Sequence, residues 1–369
     1  MKTAVTEMFD LDFPLFAFSH CRDVVAAVTN AGGMGVLGAA AHTPERLEHE
    51  LAWIDAHVGG RPYGVDIVMP ASYTGRGEVS ADALHEDFVK MIPETHRQFV
   101  NDLLAMHGVA PVETFEATVD ATGLSHEGAS RHLDIAFQHP ISLLVNALGP
   151  MPQDVCRAAA GRGIRTAALV GTVEHATRQV ANGIDIVVAQ GTEAGGHCGE
   201  ISTMVLVPDI VDAVADVPVL AAGGIGTGRQ VAAALALGAQ GVWTGSTWLT
   251  TAESDEDPVV KENLLAATAR DAIRSRAITG KPCRQLRTAW TDAFDGPDSP
   301  GALPMPLQSL LFAPANDRIK AAKSKALAGQ AVGQIVGRLN DVRGAKAVYA
   351  ELLEEAGDTL DRLNTMFAG

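Results

Sequence analysis

The chain has 369 residues, 47% hydrophobic and 20% charged, which excludes a disordered protein and suits one large domain with appendages, or two domains. Acids outnumber Lys and Arg by 44 to 28, a net charge of −16 with no basic cluster to offset it, so nucleic acid and anionic membrane are poor partners. Cys21, Cys156, Cys198 and Cys283 lie far apart and form no C-x-x-C pair, which fits a reduced compartment and no zinc module.

In chain order, the start "MKTAVTEMFDLDFP" puts Glu7, Asp10 and Asp12 where a signal peptide needs its apolar segment. No apolar run approaches the roughly 18 residues of a membrane span, and a cytoplasmic protein is expected. Eight short apolar runs then read as strands: 13–18, 34–38, 63–68, 141–146, 165–170, 184–189, 217–222 and 241–245. They are apolar throughout rather than alternating, as strands of a parallel sheet covered on both faces are. Ala-rich helical patterns fill the gaps, such as "CRDVVAAVTNAG" and "GRQVAAALALGA", each ending at a glycine suited to a left-handed cap.

Eight βα units predict a (β/α)8 TIM barrel, with a doubly wound open sheet as the rival. Residues 1–255 read as the barrel and 256–369 as a mainly helical C-terminal region packing on it. Residues 70–140 read as a helical insertion, with Phe99, Val100, Leu103 and Leu104 at helical spacing, that could overhang the site.

In such a barrel, chemistry sits on the loops after the strands, and a phosphate is commonly held after strands seven and eight. Here those turns are "AAGGIGTG" (221–228) and "TGSTW" (244–248), and a helix starting near Thr227 is expected to add its positive end. The glycines at 224, 226 and 228 lack the G-x-G-x-x-G spacing, which rules out a Rossmann fingerprint. The turn after strand six reads "GTEAGGHCGE" (191–200). Gly195 and Gly196 there remove side chains where a flat ring system would approach, and His197 stands beside them as a proton acceptor or donor. Two alternatives stay open: a histidine merely bonded into its loop, and Glu193 or Glu200 as orienting or solvated acids. A Cys198 nucleophile is disfavoured, because neighbours on an extended loop point apart. "HEGASRH" (126–132) has the wrong spacing for a zinc motif.

The stretches 189–214 and 217–251 together closely resemble the nitronate monooxygenase family, formerly called 2-nitropropane dioxygenases. The resemblance is dense from about 141 to 252, with fainter matches at "NAGGMGVLGAA" (30–40), "TGKPCR" (279–284) and "AGQAVGQI" (328–335). It implies an FMN-dependent barrel in which His197 is catalytic and Gln190 and Gly191 lie beside the flavin. It further implies phosphate-holding turns at Gly223, Gly224, Gly245 and Ser246, with Ala222 among the cofactor-binding residues. Asp66 stands where the family usually has an asparagine near the ring. The first strand departs most, with Phe18, Ser19 and His20 beneath the ring where the family reads like P-I-I-Q-A-P-M.

The implied reaction oxidises an alkyl nitronate with O2 to a carbonyl compound and nitrite; where neutral nitroalkanes are accepted, the histidine first removes the α-proton. A same-fold alternative is an FMN-dependent reductase taking hydride from NAD(P)H to an enoyl-acyl-carrier-protein or acyl-CoA substrate. A third is a barrel without catalysis that holds a phosphorylated ligand. Small-molecule substrate and O2 are the expected partners, and the sequence assigns no oligomeric state.

Overall fold

The eight apolar runs do become strands, and their two covered faces explain why they lack polar alternation. The computed structural model describes residues 1–69, 87–115 and 126–368. β1 (Leu15–Ser19), β2 (Met34–Gly38), β3 (Gly64–Ile67), β4 (Leu143–Asn146), β5 (Arg165–Val170), β6 (Ile186–Gln190), β7 (Val219–Ala222) and β8 (Gly241–Thr244) pair in parallel in chain order. β8 then pairs with β1, through Leu15 to Val242 and Ala17 to Thr244, and closes the barrel. The open-sheet rival is thereby excluded.

Inside, Phe16, Met34, Val36, Leu143, Val145, Ile186, Val188, Leu220 and Trp243 form one core. The short α1 (Ala4–Phe9) plugs its lower end, with Phe9 edge-on to Phe16 at 6.0 Å. Outside, alternate strand residues such as Val65, Ile67 and Leu144 meet the helices.

The helical ring runs through α2 (Arg22–Ala31) and α3 (Pro44–His57). As the patterns predict, α2 ends on Gly32 in the left-handed region (φ 104°). Of the stretch read as an insertion, α4 (Glu94–Met106) is an extra element. Its buried Val100, Leu103 and Leu104 join a core with Phe294, Leu310 and Leu311 of the C-terminal region. α5 (His126–Ala136) packs on α3 and β3 in the outer core, so it is the ordinary crossover helix between β3 and β4. Residues 70–86 and 116–125, also part of that reading, lie outside the described residues.

The ring continues with α6 (Gln153–Ala160), α7 (Val173–Ala181), α8 (Thr203–Val214) and α9 (Gly228–Ala236). After β8 the chain leaves the ring for α10 (Pro258–Ala266), the antiparallel pair β9 (Ala272–Ser275) and β10 (Cys283–Leu286), α11 (Ala289–Phe294) and α12 (Leu307–Ala321). It returns as α13 (Ala345–Ala368), which packs between α9 and α2 as the eighth helix of the ring. A Cβ at Gly228 would stand 2.3 Å from the Ala356 amide nitrogen, so only glycine lets α9 and α13 approach this closely.

Candidate active site

All sequence-selected residues lie on or just after the C-terminal ends of β1, β3, β6, β7 and β8, which a parallel barrel brings to one rim. The turn after β6 is fixed first by its own acid. The Glu193 carboxylate accepts from the Thr203 amide at 3.0 Å and its hydroxyl at 2.8 Å, and so occupies the N-terminus of α8. A Cβ at Gly191 would stand 2.1 Å from the Thr203 hydroxyl, so this packing demands glycine at 191 whatever binds above it. At Gly195 a Cβ would meet the Gly333 amide at 2.8 Å, because residues 331–334 lie against the turn.

Gly196, at φ 77°, exchanges two backbone hydrogen bonds with Arg284 of β10, at 2.9 and 2.8 Å. The Arg284 side chain is buried and donates to the carbonyls of Thr192 and Ala272, both at 2.7 Å. The turn is thus clamped to the C-terminal excursion, and His197 is held with it. Its Nε2 lies 2.9 Å from the Thr279 hydroxyl in the β9–β10 turn. Burial, and then the Lys281 ammonium, hold this imidazole below its ordinary pKa, so it is neutral at pH 7.

The Thr279 hydroxyl has one hydrogen and two acceptors, the ring nitrogen at 2.9 Å and the Lys281 carbonyl at 3.2 Å. Donation to the ring leaves Nδ1–H as a donor, whereas donation to the carbonyl leaves Nδ1 bare. Neither acid orients the ring: Glu193 is spent on α8, and the exposed Glu200 sits 3.4 Å from Arg274. Burial raises the Cys198 thiol, which faces the Thr192 carbonyl at 3.5 Å, so no thiolate stands here.

The turns after β7 and β8 behave differently. Gly223 and Gly224 follow β7 at φ 100° and 71°, and Gly245 leads into the 3-10 turn Ser246–Trp248. Among the described residues the amides of Gly224 and Ser246 have no acceptor, and the buried Thr247 hydroxyl has no partner. Three unspent donors on two adjacent turns are the makings of an anion site. The Ser246 hydroxyl accepts from the Gly333 amide at 2.8 Å, which ties the same C-terminal segment to this turn.

The expectation for α9 needs correction. Thr227 does cap it, yet its positive end is taken by the Glu355 carboxylate of α13, which accepts from the Gly228 amide at 2.6 Å and from Arg229 at 2.7 Å. A second carboxylate-like group gains little there, so α9 adds no free positive end to these turns.

On the neighbouring strand β1, Phe18 stacks on Trp243 with centroids 6.1 Å apart and lies 3.8 Å from where a Gly245 Cβ would stand. Ser19 accepts the Cys21 amide at 3.1 Å. Asp66 shares the inward face of β3 with Gly64, whose Cβ would meet the interior Leu143 and Val36. It is 4% exposed, its Oδ1 has no partner among the described residues, and burial pushes its carboxyl up to about 7 against the Ala147 amide. Gln190 and Ala222 pair side by side at the ends of β6 and β7. Sequence reasoning missed Thr203, Thr279 and Arg284 as organisers of the site, although 279–284 carried a trace of family pattern.

The sequence profile of the nitronate monooxygenase family matches residues 3–355. The chain is 54% identical over 371 residues to a protein of Mycobacterium tuberculosis (strain ATCC 25618 / H37Rv) named "Putative monooxygenase Rv1533", covering 98% of each. It is 30% identical to a "Probable nitronate monooxygenase" of Staphylococcus saprophyticus, over 79% of this chain and 80% of that one. Among solved structures, nitroalkane oxidase from Streptomyces ansochromogenes superposes with a TM-score of 0.80 at 26% identity, covering 98% of this chain and all of that one. FabK from Thermotoga maritima, at 24% identity and TM-score 0.75 with 99% of both chains covered, shares the fold. No helix among the described residues is long and apolar enough to cross a membrane. With this barrel, this rim and these relatives, the chain belongs to the nitronate monooxygenase family and is a flavin-dependent oxidoreductase.

Proposed function

We propose that the flavin is FMN and that the enzyme oxidises alkyl nitronates with O2 to a carbonyl compound and nitrite. The observation that carries this reading is a neutral His197 beside Lys281, on the same rim as a cradle of unspent donors. The residues present fit the cofactor. Gly223, Gly224, Gly245, Ser246 and Thr247 would hold the phosphate, since their turns supply amides and a hydroxyl that the protein leaves unpaired. Phe18, Ser19, Asp66, Gln190, Gly191, Gly195, Gly196 and Ala222 would line the ring, with the buried Asp66 Oδ1 lacking a partner among the described residues.

When bound, FMN supplies the acceptor for the substrate's electrons and passes them to O2. The chain's own residues do the rest. A nitronate is an anion, and the Lys281 charge with His197 Nδ1–H suits its oxygens; Thr279 supports that tautomer by donating to Nε2. Burial keeps the resting ring neutral, so it serves as a hydrogen-bond donor without holding the anion as a tight ion pair. The bare-Nδ1 form, available when Thr279 turns to the Lys281 carbonyl, leaves His197 able to accept a proton as well.

An anaerobic titration of the yellow protein tests the reading. Bleaching of flavin absorbance by alkyl nitronate alone is expected. Rapid bleaching by NADH or NADPH alone would overturn it in favour of a reductase. His197→Asn is expected to keep bound flavin and lose about 100-fold in kcat/KM for nitronate. Unchanged turnover removes His197 from the catalytic role.

A further inference from the structure

The donors assigned to the phosphate carry no positive charge. The Gly224 and Ser246 amides and the Thr247 hydroxyl are all neutral. Two carboxylates belong to the same surroundings. The position of a Gly224 Cβ is 3.1 Å from the Glu193 Cβ, and Glu355 holds the Gly228 amide at 2.6 Å at the start of α9. A phosphate monoester is close to a dianion at pH 7, so neutral donors alone would leave it among like charges. A cation is the missing part.

Gly224 and Glu193 also line an open cavity of about 800 Å³, whose other wall is the C-terminal segment with Gln334, Ile335, Arg338 and Arg343. Two cations therefore border the space that Gly224 borders. Arg343 is engaged: Asp341 stands 3.4 Å from its Nε, and Glu351 pairs with its Nη1. Arg338 is exposed and has no hydrogen-bond or ion-pair partner among the described residues.

The backbone around Arg338 is anchored to the same two turns. Arg338 ends a 3-10 turn, Gln334–Arg338. Just before and at its start, the Gly333 amide donates to the Ser246 hydroxyl at 2.8 Å and the Gln334 amide to the Glu193 carbonyl at 2.9 Å. Near its end, a Gly337 Cβ would meet the Ala269 amide nitrogen at 2.8 Å, so the turn is packed along its length. Ile335 comes within 3.1 Å of the position of a Gly226 Cβ, and the Thr247 hydroxyl lies 3.3 Å from the same point. Side chains three apart eclipse in a 3-10 helix, so Arg338 follows Ile335 on that face, about 6 Å along the axis. An arginine side chain spans such a distance.

We propose that Arg338 is a cofactor-binding residue, the cation that pairs with the flavin's phosphate and lets the site distinguish FMN from riboflavin. The assignment rests on the FMN reading above. The neutral donors of the β7 and β8 turns fix where the phosphate lies, and Arg338 supplies its counter-charge through a charge-assisted pair.

The test removes the charge and varies the ligand. Flavin is stripped from the full-length protein, and FMN or riboflavin is titrated back while quenching of flavin fluorescence is followed. Arg338→Gln is expected to weaken FMN about tenfold or more and to leave riboflavin within about threefold of wild type. Arg343→Gln, whose guanidinium is already engaged, should move neither ligand by more than about threefold. Release of FMN from the undisturbed holoenzyme on dilution should quicken in Arg338→Gln by a factor similar to the loss of affinity. Unchanged FMN affinity in Arg338→Gln, or an equal loss of FMN and riboflavin, would overturn the assignment while leaving the FMN reading in place. The cofactor freed by acid from the wild-type holoenzyme tests that reading separately. FMN upholds it; FAD would overturn it, and the assignment with it.

Discussion

The turns after β6 and β8 both place glycine at a strand end, yet the glycines answer to different demands. In the β6 turn, Gly191 and Gly195 are required by protein against protein, Thr203 on one side and Gly333 on the other. After β8, Gly245 has open space to within 3.8 Å of Phe18 and the adjacent Ser246 amide finds no acceptor among the described residues, whereas after β7 Gly223 is again packed on protein, its Cβ position 2.9 Å from the Gly191 carbonyl oxygen. Glycine in the first case sets the position of a histidine; in the second it leaves donors for a ligand. A glycine-rich motif read along the chain does not separate the two.

The sharpest way to break this contrast is to add the missing side chains. Gly191→Val is expected to destabilise the fold by roughly 3 kcal/mol or more, since the branched side chain must displace the Thr203–Glu193 cap of α8. Thermal denaturation would show it as a large drop in Tm with flavin present or absent. Gly245→Val, at φ −127°, should fold with nearly wild-type Tm in the flavin-free protein and release its flavin more readily on dialysis. If both variants lose stability equally, the two kinds of turn are not distinct.

Asp66 extends the comparison to the opposite side of the rim. Its folded-state pKa of about 7 lies above the ordinary 3.8, so the folded state binds the proton more tightly than the unfolded chain. Stability is therefore full below about pH 4 and falls as pH rises through about 7. The loss by pH 8 is at most about 4 kcal/mol, from roughly 1.36 kcal/mol per unit. Asp66→Asn should remove that slope in chemical denaturation of the flavin-free protein between pH 5 and 8. An unchanged slope would show that the carboxyl ionises at no cost.

A smaller effect is expected at Thr279. Thr279→Val removes the hydrogen-bond partner of His197 Nε2 but keeps the shape, and should cost about tenfold in nitronate kcat/KM with little change in Tm, roughly 1 kcal/mol or less. A loss as large as that of His197→Asn would mean the hydroxyl does more than set the tautomer.

Much of this protein was legible along the chain. Eight doubly covered strands, the left-handed cap at Gly32 and the grouping of the candidate residues after strand ends all follow from local chemistry: apolar burial on two faces, the missing Cβ, and the parallel direction that a βα rhythm imposes. What the sequence left open needed partners far away in number. Glu193 was an undecided acid until Thr203 claimed it, and the positive end of α9 looked free until Glu355, 127 residues later, closed on Gly228. The stretch 70–140 read as one insertion, yet it divides into an extra helix packed on the C-terminal region and an ordinary ring helix, because only packing tells which apolar face meets which core. Thr279 beside His197 was settled by tertiary contact alone. A hydrogen bond fixes a tautomer only when both ends are in place, and no spacing along one chain encodes which distant carbonyl or hydroxyl arrives.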